Sequence, residues 1–373
     1  MVIVTPTKMP ETVDVPIKIL PLEGPTKSKD ILSSPDNLGF GKYFADRMFS
    51  MEYTDNKWQT PVIKKHESFK LDPAALVFHY AQEIFEGMKA FRQDNGRIVL
   101  FRPDQNAFRM NESAERMCIP NFDPNVFLTG LKKLVSLEKD WVPNAEGASL
   151  YLRPTIIATQ PILGVRPSKE YKFFIILSPS GPYFPEGFKP IKIHVSDKYV
   201  RASPGGTGFA KAGGNYAASL KALEDAAKYG APQVLWLDVI HREYIEEVGA
   251  MNFALVKDDI VYTAPLDSGT ILPGITRDSV LQICRDLGIS YKEESLSIKD
   301  VVKDIESGSI TETFGIGTAA VIAPVGNLIY KDQEHIINDF NIGPISQELY
   351  DTLVGIQRGR IADKHNWIVP VDN

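Results

Sequence analysis

Cysteine is scarce in this sequence, and long apolar runs are absent. Two cysteines, Cys118 and Cys284, occur in 373 residues, which is too few for the disulfide framework of a small secreted protein. Both lie in stretches with helical apolar spacing, so we expect them to be buried and reduced. No apolar run reaches the roughly 18 residues that a membrane-spanning helix needs, and we therefore expect no membrane partner.

An excess of basic residues is also missing. The 41 lysines and arginines against 47 aspartates and glutamates give a formal net charge of -6. Surfaces that bind nucleic acid are usually basic, so no nucleic-acid partner is expected. The histidines form no HxxxH pattern and no cluster with cysteine, which argues against a metal site. The N-terminal sequence lacks the features of a secretory signal, and we expect a cytoplasmic protein.

Helical and strand-like patterns occur in both halves of the chain, which predicts an α/β or α+β fold. A chain of 373 residues is too long for one ordinary core, so two domains are expected. We predict an N-terminal extension over residues 1–35, a small α/β domain over 36–178, a linker over 179–190 and a larger domain over 191–373. The linker is rich in proline and glycine. Its aromatic residues indicate either a lid over a site or a segment docked on its own domain.

Apolar spacing also predicts individual elements. Strands are expected over 15–20, 75–80, 97–101, 150–159, 173–178, 191–195, 233–238, 243–247, 252–257 and 260–263. Helices are expected over 104–117, 123–139, 216–229, 275–287 and 345–360. Asp104 follows a proline and is the expected N-cap of the first helix.

The segment 201–220 combines glycine with a single lysine of interest, Lys211. Five glycines lie within residues 205–214, a density that indicates tight turns or close approach of the backbone to a ligand. A lysine in a partly closed, glycine-walled site can lose its proton and attack a carbonyl. The spacing does not match a phosphate-binding P-loop. The alternative is a flexible loop with a solvated lysine.

Two adjacent carboxylates, Glu246 and Glu247, lie in a strand-like run. Alternate residues of a strand face opposite sides, so one of the two should face inward. A buried carboxylate needs a partner, and a protonated pyridine nitrogen would serve. The alternative is an edge strand with both carboxylates in water.

Three segments could hold phosphate. Pro273 and Gly274 lead into a helix whose first N–H groups, with the Thr276 hydroxyl, could bind an anion. A second segment has two glycines followed by Thr318. Arg109 lies on an otherwise apolar helix, where it forms either a salt bridge or a phosphate clamp. Together with the lysine and the carboxylate, these features match the needs of pyridoxal 5'-phosphate (PLP).

At the level of motifs, the chain resembles a class IV aminotransferase, and specifically a branched-chain amino acid aminotransferase. The resemblance covers about residues 38–370 and rests on FEGMKAFR, FRPDQNAFRM, YLRPTIIAT, KAGGNYAAS, EEVGAMN, ILPGITRDS and FGIGTAA. It implies the two-domain fold of D-amino-acid aminotransferase (PLP fold type IV), PLP as cofactor and a homodimer. It also implies ping-pong transamination of leucine, isoleucine and valine with 2-oxoglutarate, with amino acids and 2-oxo acids as the small-molecule partners.

The resemblance assigns roles to individual residues. Lys211 would form the Schiff base with PLP and carry the proton, Glu247 would pair with the ring nitrogen, and Tyr216 would bind the phenolic oxygen. The remaining cofactor residues would be Arg109, Arg201, Leu272, Gly274, Ile275, Thr276, Gly317 and Thr318. The substrate would contact Phe44, Tyr80, Phe85, Tyr151, Arg153, Tyr183, Ala250, Thr318 and Ala319, with Arg153 accommodating the distal carboxylate of glutamate.

Two departures from the family pattern have consequences. Ala320 and Ala323 occupy the positions of a redox CxxC found in some members, so we predict no thiol switch. Ala250 replaces a threonine of other members and removes one hydroxyl. The rival hypotheses are a D-amino-acid aminotransferase or aminodeoxychorismate lyase, a PLP-binding protein without turnover, and a structural protein. The preferred substrate among leucine, isoleucine and valine stays open.

Overall fold

The computed structural model describes residues 15–34, 37–181 and 187–372. These residues fall into two compact units. The first unit contains the described residues of Met1–Pro185, Ala210–Gly213 and Ile356–Asn373, and the second contains those of Glu186–Phe209 and Gly214–Gly355. Over the described ranges, no helix is long and apolar enough to cross a membrane.

The strands, in chain order, are β1 Lys18–Ile19, β2 Arg47–Thr54, β3 Lys57–Trp58, β4 Val62–Lys65, β5 Glu83–Phe85, β6 Met88–Arg92, β7 Ile98–Phe101, β8 Ser149–Ala158, β9 Tyr171–Ser180, β10 Ile191–Ser196, β11 Gln233–Leu237, β12 Ile245–Val248, β13 Met251–Lys257, β14 Ile260–Thr263, β15 Tyr291–Glu293, β16 Ile310–Gly317, β17 Val321–Tyr330, β18 Gln333–Ile336 and β19 Ile368–Pro370. The helices are α1 Leu76–Tyr80, α2 Pro103–Arg116, α3 Pro124–Leu137, α4 Gly213–Ala217, α5 Leu220–Ala227, α6 Ile275–Leu287, α7 Ile298–Glu306 and α8 Pro344–Arg358. Short 3-10 turns occur at Asp30–Ser33, Lys139–Trp141 and Asn338–Phe340.

The first unit is built on a sheet of strand order β1-β4-β2-β9-β8-β6-β7-β19, with β3 beside β2 and β5 beside β8. Its centre is the antiparallel pair β8 and β9, whose alternating apolar residues supply much of the core. Helices α2 and α3 contribute the apolar residues on the other side of that core. Gly130 of α3 lets the helix approach closely, because a Cβ there would lie 2.7 Å from the Phe49 ring.

The second unit has a sheet of order β12-β11-β10-β17-β16-β13-β14-β15, with β18 beside β17. β10 runs parallel to both β11 and β17, whereas β16 and β13 are antiparallel to their neighbours. β12 also pairs with β13, so the strand that carries Glu246 and Glu247 has hydrogen-bonded neighbours on both sides.

The division into units differs from the predicted domains. The structure groups Ala210–Gly213 and Ile356–Asn373 with the first unit, whereas the sequence placed both in the second domain. The physical reason is strand pairing. β19 adds to the edge of the first sheet through β7, and Ala212 forms a β-bridge with Ile84. Part of the predicted extension and part of the predicted linker lie outside the described residues.

Most predicted elements are present, but several predictions were wrong. The segment 75–80 is helix α1, not a strand. Its apolar run is so short that it fits both the helical and the strand period. The predicted helix over 216–229 is two helices, α4 and α5. Helix α2 begins at Pro103, so Asp104 lies in its first turn and Arg102 holds the cap position. Cys284 is buried as expected, but Cys118 is exposed at the end of α2.

Candidate active site

The main chain of Lys211 is fixed by residues of the first unit. Its N–H donates to Oγ of Ser113 on α2 at 2.9 Å, and its carbonyl accepts from the N–H of Phe85 at 3.0 Å. A Cβ at Gly213 would lie 1.9 Å from Oε1 of Glu83, so a side chain there would displace the Glu83 carboxyl group. The glycine-walled lysine predicted from the sequence therefore has a defined backbone position.

The Lys211 amine and the Arg153 guanidinium both lie near the Phe85 ring. Its Nζ lies 4.9 Å from the centroid of the Phe85 ring, and the Arg153 guanidinium carbon lies 4.7 Å from the same centroid. Arg153 also donates to the Tyr151 hydroxyl at 3.2 Å. Gly87 lies against that hydroxyl, because a Cβ there would come within 1.9 Å of it. Three of the predicted substrate residues thus lie close to the predicted catalytic lysine.

The carboxyl group of Glu83 lies near this cluster. Burial raises the pKa of the Glu83 carboxyl, and the positive charge of Arg153 opposes that rise. No sequence motif singled out Glu83. Its position on β5, two residues before Phe85, places both side chains on the same face of the sheet.

Arg109 forms a buried ion pair. Its Nε and Nη2 donate to Oε1 and Oε2 of Glu86 at 2.7 and 2.8 Å, and the side chains are 7% and 0% exposed. Asn106 donates to Glu86 Oε2 at 2.7 Å. Burial opposes ionisation of Glu86. The Arg109 charge and the hydrogen bonds from Arg109 and Asn106 outweigh it and hold the pKa of the carboxyl below its usual value. Arg109 therefore forms a salt bridge, which was one of the two roles that the sequence suggested for it.

The other predicted substrate residues of the first unit make different contacts. Phe44 stacks on His66 with ring centroids 5.3 Å apart, and burial lowers the pKa of that histidine. Tyr80 is 40% exposed, and its hydroxyl donates to the carbonyl of Leu163. Tyr183 lies outside the described residues.

In the second unit, Glu247 and Arg201 form a buried ion pair. Arg201 Nε lies 2.8 Å from Glu247 Oε2, and the two side chains are 5% and 3% exposed. The N–H of Leu272 donates to Glu247 Oε1 at 2.8 Å. Arg201 also donates to the carbonyls of Thr270 and Gly208. The fold thus brings together three residues that the sequence assigned to the cofactor.

The sequence predicted that one of the two adjacent glutamates faces inward, and in the structure both are buried. Glu246 is 6% exposed, and its Oε1 accepts from the Thr270 hydroxyl at 2.5 Å. Its Oε2 is buried without a hydrogen-bond partner among the described residues. Burial raises the pKa of Glu246, and the Thr270 hydrogen bond and Arg201 only partly offset it. The segment around Thr270 contacts Glu246 and covers the face of β12 on which this side chain lies.

Helix α6 begins in a way that suits an anion. Its N-cap is Gly274 with extended backbone angles, and no side chain caps the first turn. A Cβ at Gly274 would lie 2.0 Å from Oδ1 of Asn252. The first N–H groups of a helix have no partner within the helix and carry a partial positive charge. Thr276 is buried in this first turn, as a residue that binds an anion there would be.

The remaining predicted cofactor and substrate residues lie in turns and short helices of the second unit. Tyr216 lies on α4, and its carbonyl accepts from the Ser219 hydroxyl at 2.6 Å. Gly317 ends β16, and a Cβ there would lie 2.9 Å from Cγ of Met251. Thr318 and Ala319 follow in the turn before β17, and Ala250 lies in the exposed turn between β12 and β13.

Sequence reasoning assigned no role to the residues that hold the predicted site in place. Glu86 binds Arg109, Ser113 binds the main chain of Lys211, and Thr270 contacts both Arg201 and Glu246. A signal existed on α2, where buried Asn106, Arg109 and Ser113 follow a spacing of three and four residues. Such a spacing places polar side chains on one face of a helix, and this face meets Glu86 and Lys211.

Comparisons with known proteins identify the family of the chain. The family model described as amino-transferase class IV matches residues 83–328. A branched-chain-amino-acid aminotransferase 2 of Bacillus subtilis is 49% identical over 348 residues, which cover 93% of this chain and 95% of the relative. A branched-chain-amino-acid aminotransferase of Mycolicibacterium smegmatis is 49% identical over 345 residues, covering 91% of this chain and 93% of the relative.

Solved structures give the same result for the fold. The crystal structure of the Escherichia coli branched-chain amino acid aminotransferase matches with a TM-score of 0.73 at 27% identity, covering 86% of this chain and 99% of that chain. The T.th. branched-chain amino acid aminotransferase with pyridoxamine 5'-phosphate matches with a TM-score of 0.71 at 25% identity, covering 86% and 98%. The predicted mixed α/β fold of the class IV enzymes is confirmed. Given the family model and relatives at about half identity over nine-tenths of its length, the chain belongs to the branched-chain-amino-acid aminotransferases of the class IV aminotransferase family.

Proposed function

We propose that this enzyme transaminates L-leucine, L-isoleucine and L-valine with 2-oxoglutarate, giving branched-chain 2-oxo acids and L-glutamate in a reversible ping-pong reaction. One observation carries the proposal. Lys211 has a fixed main chain, and its amine shares the Phe85 ring with the guanidinium of Arg153. An amine and a guanidinium beside one aromatic ring suit substrates that are either aliphatic or dicarboxylic. The names of the relatives support the same substrate class.

The described residues fit PLP as the cofactor. Each unit offers donors of the kind that PLP needs: the first unit a lysine amine, and the second a buried carboxylate and a helix whose N-cap is a glycine. Glu247 is held by Arg201 and by the N–H of Leu272, so its carboxylate has a fixed position for a protonated ring nitrogen. PLP supplies a carbonyl that condenses with primary amines and a ring that withdraws electrons.

Each residue then has a defined task. Lys211 would hold the cofactor through its Nζ, and the same nitrogen, when free, would accept and return the proton of the substrate Cα. Glu247 would pair with the ring nitrogen, with Arg201 beside the carboxylate. Tyr216 would bind the phenolic oxygen, and Leu272 would contact the ring. The residues that would hold the phosphate are Arg109, Gly274, Ile275, Thr276, Gly317 and Thr318.

The substrate pocket must accept two kinds of side chain. Apolar walls distinguish aliphatic substrates by only about 1–3 kcal/mol per methylene group, so Phe85 and Tyr151 accept leucine, isoleucine and valine alike. The distal carboxylate of glutamate needs a cation, which Arg153 provides beside the same ring. We assign the remaining contacts to Phe44, Tyr80, Tyr183, Ala250, Thr318 and Ala319.

A homodimer is part of the proposal. Phe78, Leu163 and Val165 are 60%, 61% and 83% exposed, and Tyr80, two residues after Phe78, donates to the Leu163 carbonyl. Apolar patches of this kind mark association surfaces. Light scattering should give twice the chain mass, and Leu163→Glu should produce monomers, whereas Ile240→Glu at another exposed apolar position should not. A cytoplasmic location stays a prediction.

Product analysis tests the activity directly. L-leucine and 2-oxoglutarate should yield the branched-chain 2-oxo acid and L-glutamate in equal amounts, and Lys211→Ala should yield neither. Turnover of D-amino acids with no turnover of L-leucine would instead support the D-amino-acid aminotransferase alternative.

A further inference from the structure

A carboxylate with no exposure to water lies inside the first unit. Glu86 accepts hydrogen bonds from Nε and Nη2 of Arg109, from Nδ2 of Asn106 and from the N–H of Gly87. The Arg109 contact is two-pronged, with distances of 2.7 and 2.8 Å. This geometry fixes the plane of the guanidinium as well as its position.

Burial of such a pair is hard to explain by stability alone. Removing a carboxylate and a guanidinium from water costs so much that well-packed apolar residues of similar size are often at least as stable. An arginine side chain also has many rotamers, and a two-pronged contact removes that freedom before any ligand arrives. The pair therefore defines one orientation of Arg109 at a high desolvation cost.

The pair lies next to the catalytic lysine. Ser113, one helical turn after Arg109, accepts the N–H of Lys211. Phe85, the residue before Glu86, donates its N–H to the Lys211 carbonyl and places its ring beside the Lys211 amine. The Lys211 charge is among those that favour ionised Glu86. Glu86 thus orients its arginine within the set of residues that hold Lys211.

We propose that Glu86 is a positioning residue for the cofactor: it holds the Arg109 guanidinium in the one orientation in which that group receives the phosphate. This inference rests on the proposed function, and it assigns Glu86 a role that acts through Arg109. Glu86 accepts from the Nε and Nη2 edge of the guanidinium. The Nη1 side therefore faces away from the carboxylate.

The experiment measures binding by the apoenzyme, which needs no turnover. Dissociation constants for PLP and for pyridoxal, which lacks the phosphate, are measured for wild type and Glu86→Gln. The amide cannot accept two hydrogen bonds from Arg109 in the same geometry, so Arg109 must be ordered when the phosphate binds. We expect the dissociation constant for PLP to rise about tenfold and the dissociation constant for pyridoxal to stay as in wild type.

A matched control lies on the same helix as Arg109. Glu112 lies three residues after Arg109, and burial raises the pKa of its carboxyl while Arg109 opposes that rise. Glu112→Gln makes the same chemical change within reach of the same arginine, and we expect it to leave both dissociation constants as in wild type. An equal loss of PLP affinity in this control would overturn the inference, because the removal of any carboxylate near Arg109 would then explain the weaker binding.

A double variant guards against misfolding. Glu86→Gln alone leaves a buried arginine without its carboxylate, whereas Glu86→Gln combined with Arg109→Met removes both charges. If Glu86 acts through Arg109, the double variant should bind PLP as weakly as Arg109→Met alone. A further loss in the double variant, or a loss of pyridoxal affinity equal to that of PLP, would overturn the positioning role.

The two proposals fail in different ways. Wild type that binds no PLP contradicts the proposed function. Wild type that binds PLP, together with a Glu86→Gln variant of unchanged PLP affinity, contradicts only the role of Glu86.

Discussion

The main-chain N–H of Lys211 donates to the hydroxyl of Ser113, 98 residues earlier in the chain. The hydroxyl is buried on α2, and the bond fixes the backbone of the residue that we propose as the catalytic lysine. Ser113→Ala should leave the Lys211 N–H without this acceptor, at a cost of about 1–3 kcal/mol. We expect kcat to fall about tenfold while the KM for leucine changes little, because misplacement affects the reaction more than binding.

Steady-state kinetics check this prediction. Ser136→Ala is a suitable control, since it removes an exposed serine hydroxyl that binds Asp372 at the surface of the same unit. A rise in KM with unchanged kcat in Ser113→Ala would contradict the positioning of Lys211 by Ser113.

The Arg153 side chain should separate the two substrate classes. Arg153→Met keeps an unbranched apolar chain beside Phe85 but removes the cation. A hydrogen bond to a charged group is worth about 1.5–3 kcal/mol, so kcat/KM for 2-oxoglutarate should fall at least tenfold while that for leucine stays within about threefold. The variant Arg166→Met changes an exposed arginine and should behave as wild type. Equal losses for both substrates would contradict a carboxylate-binding role.

The two buried glutamates of β12 should respond differently to amide substitution. Glu247→Gln leaves the buried Arg201 without its carboxylate, which should cost about 3–5 kcal/mol of the free energy of unfolding. Glu246→Gln replaces a carboxyl whose pKa burial raises, so the amide should be tolerated at neutral pH. Urea unfolding of both variants checks the contrast, and equal destabilisation would contradict it.

The raised pKa of Glu246 also predicts that the free energy of unfolding depends on pH. The pKa of Glu246 is raised in the folded state above its ordinary value of 4.5. Its contribution to stability is therefore fully present below pH 4.5 and is lost as the pH rises through the folded pKa. Wild type should lose stability relative to Glu246→Gln over that interval. A difference that grows instead as the pH falls would contradict the raised pKa.

Gly208 should tolerate no side chain. A Cβ there would lie 2.4 Å from the carbonyl oxygen of Thr270 and 2.6 Å from Cβ of Ala202. Because Arg201 donates to the carbonyls of both Gly208 and Thr270, Gly208→Ala should displace Arg201 and weaken PLP binding. Gly214→Ala, where a Cβ meets no atom within 4 Å, is the matched control. Unchanged PLP affinity in Gly208→Ala would contradict the link between the two residues.

Local patterns predicted part of this fold. The apolar runs of β8, β9 and β13 and the helical spacing of α2, α3 and α6 agree with the structure to within a few residues. Strand β2 was not predicted, because the neighbouring strands, rather than its own sequence period, decide that this segment is extended. Helix α1 was predicted as a strand because so short an apolar run fits both the helical and the strand period.

The site shows the same limit. Glycine density and the motif resemblance pointed to Lys211, Glu247 and Arg109, and their roles stay predictions. The ion pairs of Arg109 and of Arg201 join residues 23 and 46 positions apart, and only the fold brings them together. Burial of both Glu246 and Glu247 depends on the covering segment at Thr270, which a strand period cannot show.

The absorbance of the purified protein with PLP tests the central claim most directly. We predict a visible band that depends on Lys211, falls when L-leucine is added and returns when 2-oxoglutarate follows, while Lys211→Ala shows no such cycle. A protein that forms no visible band with added PLP, or a band that L-leucine leaves unchanged, would contradict the account.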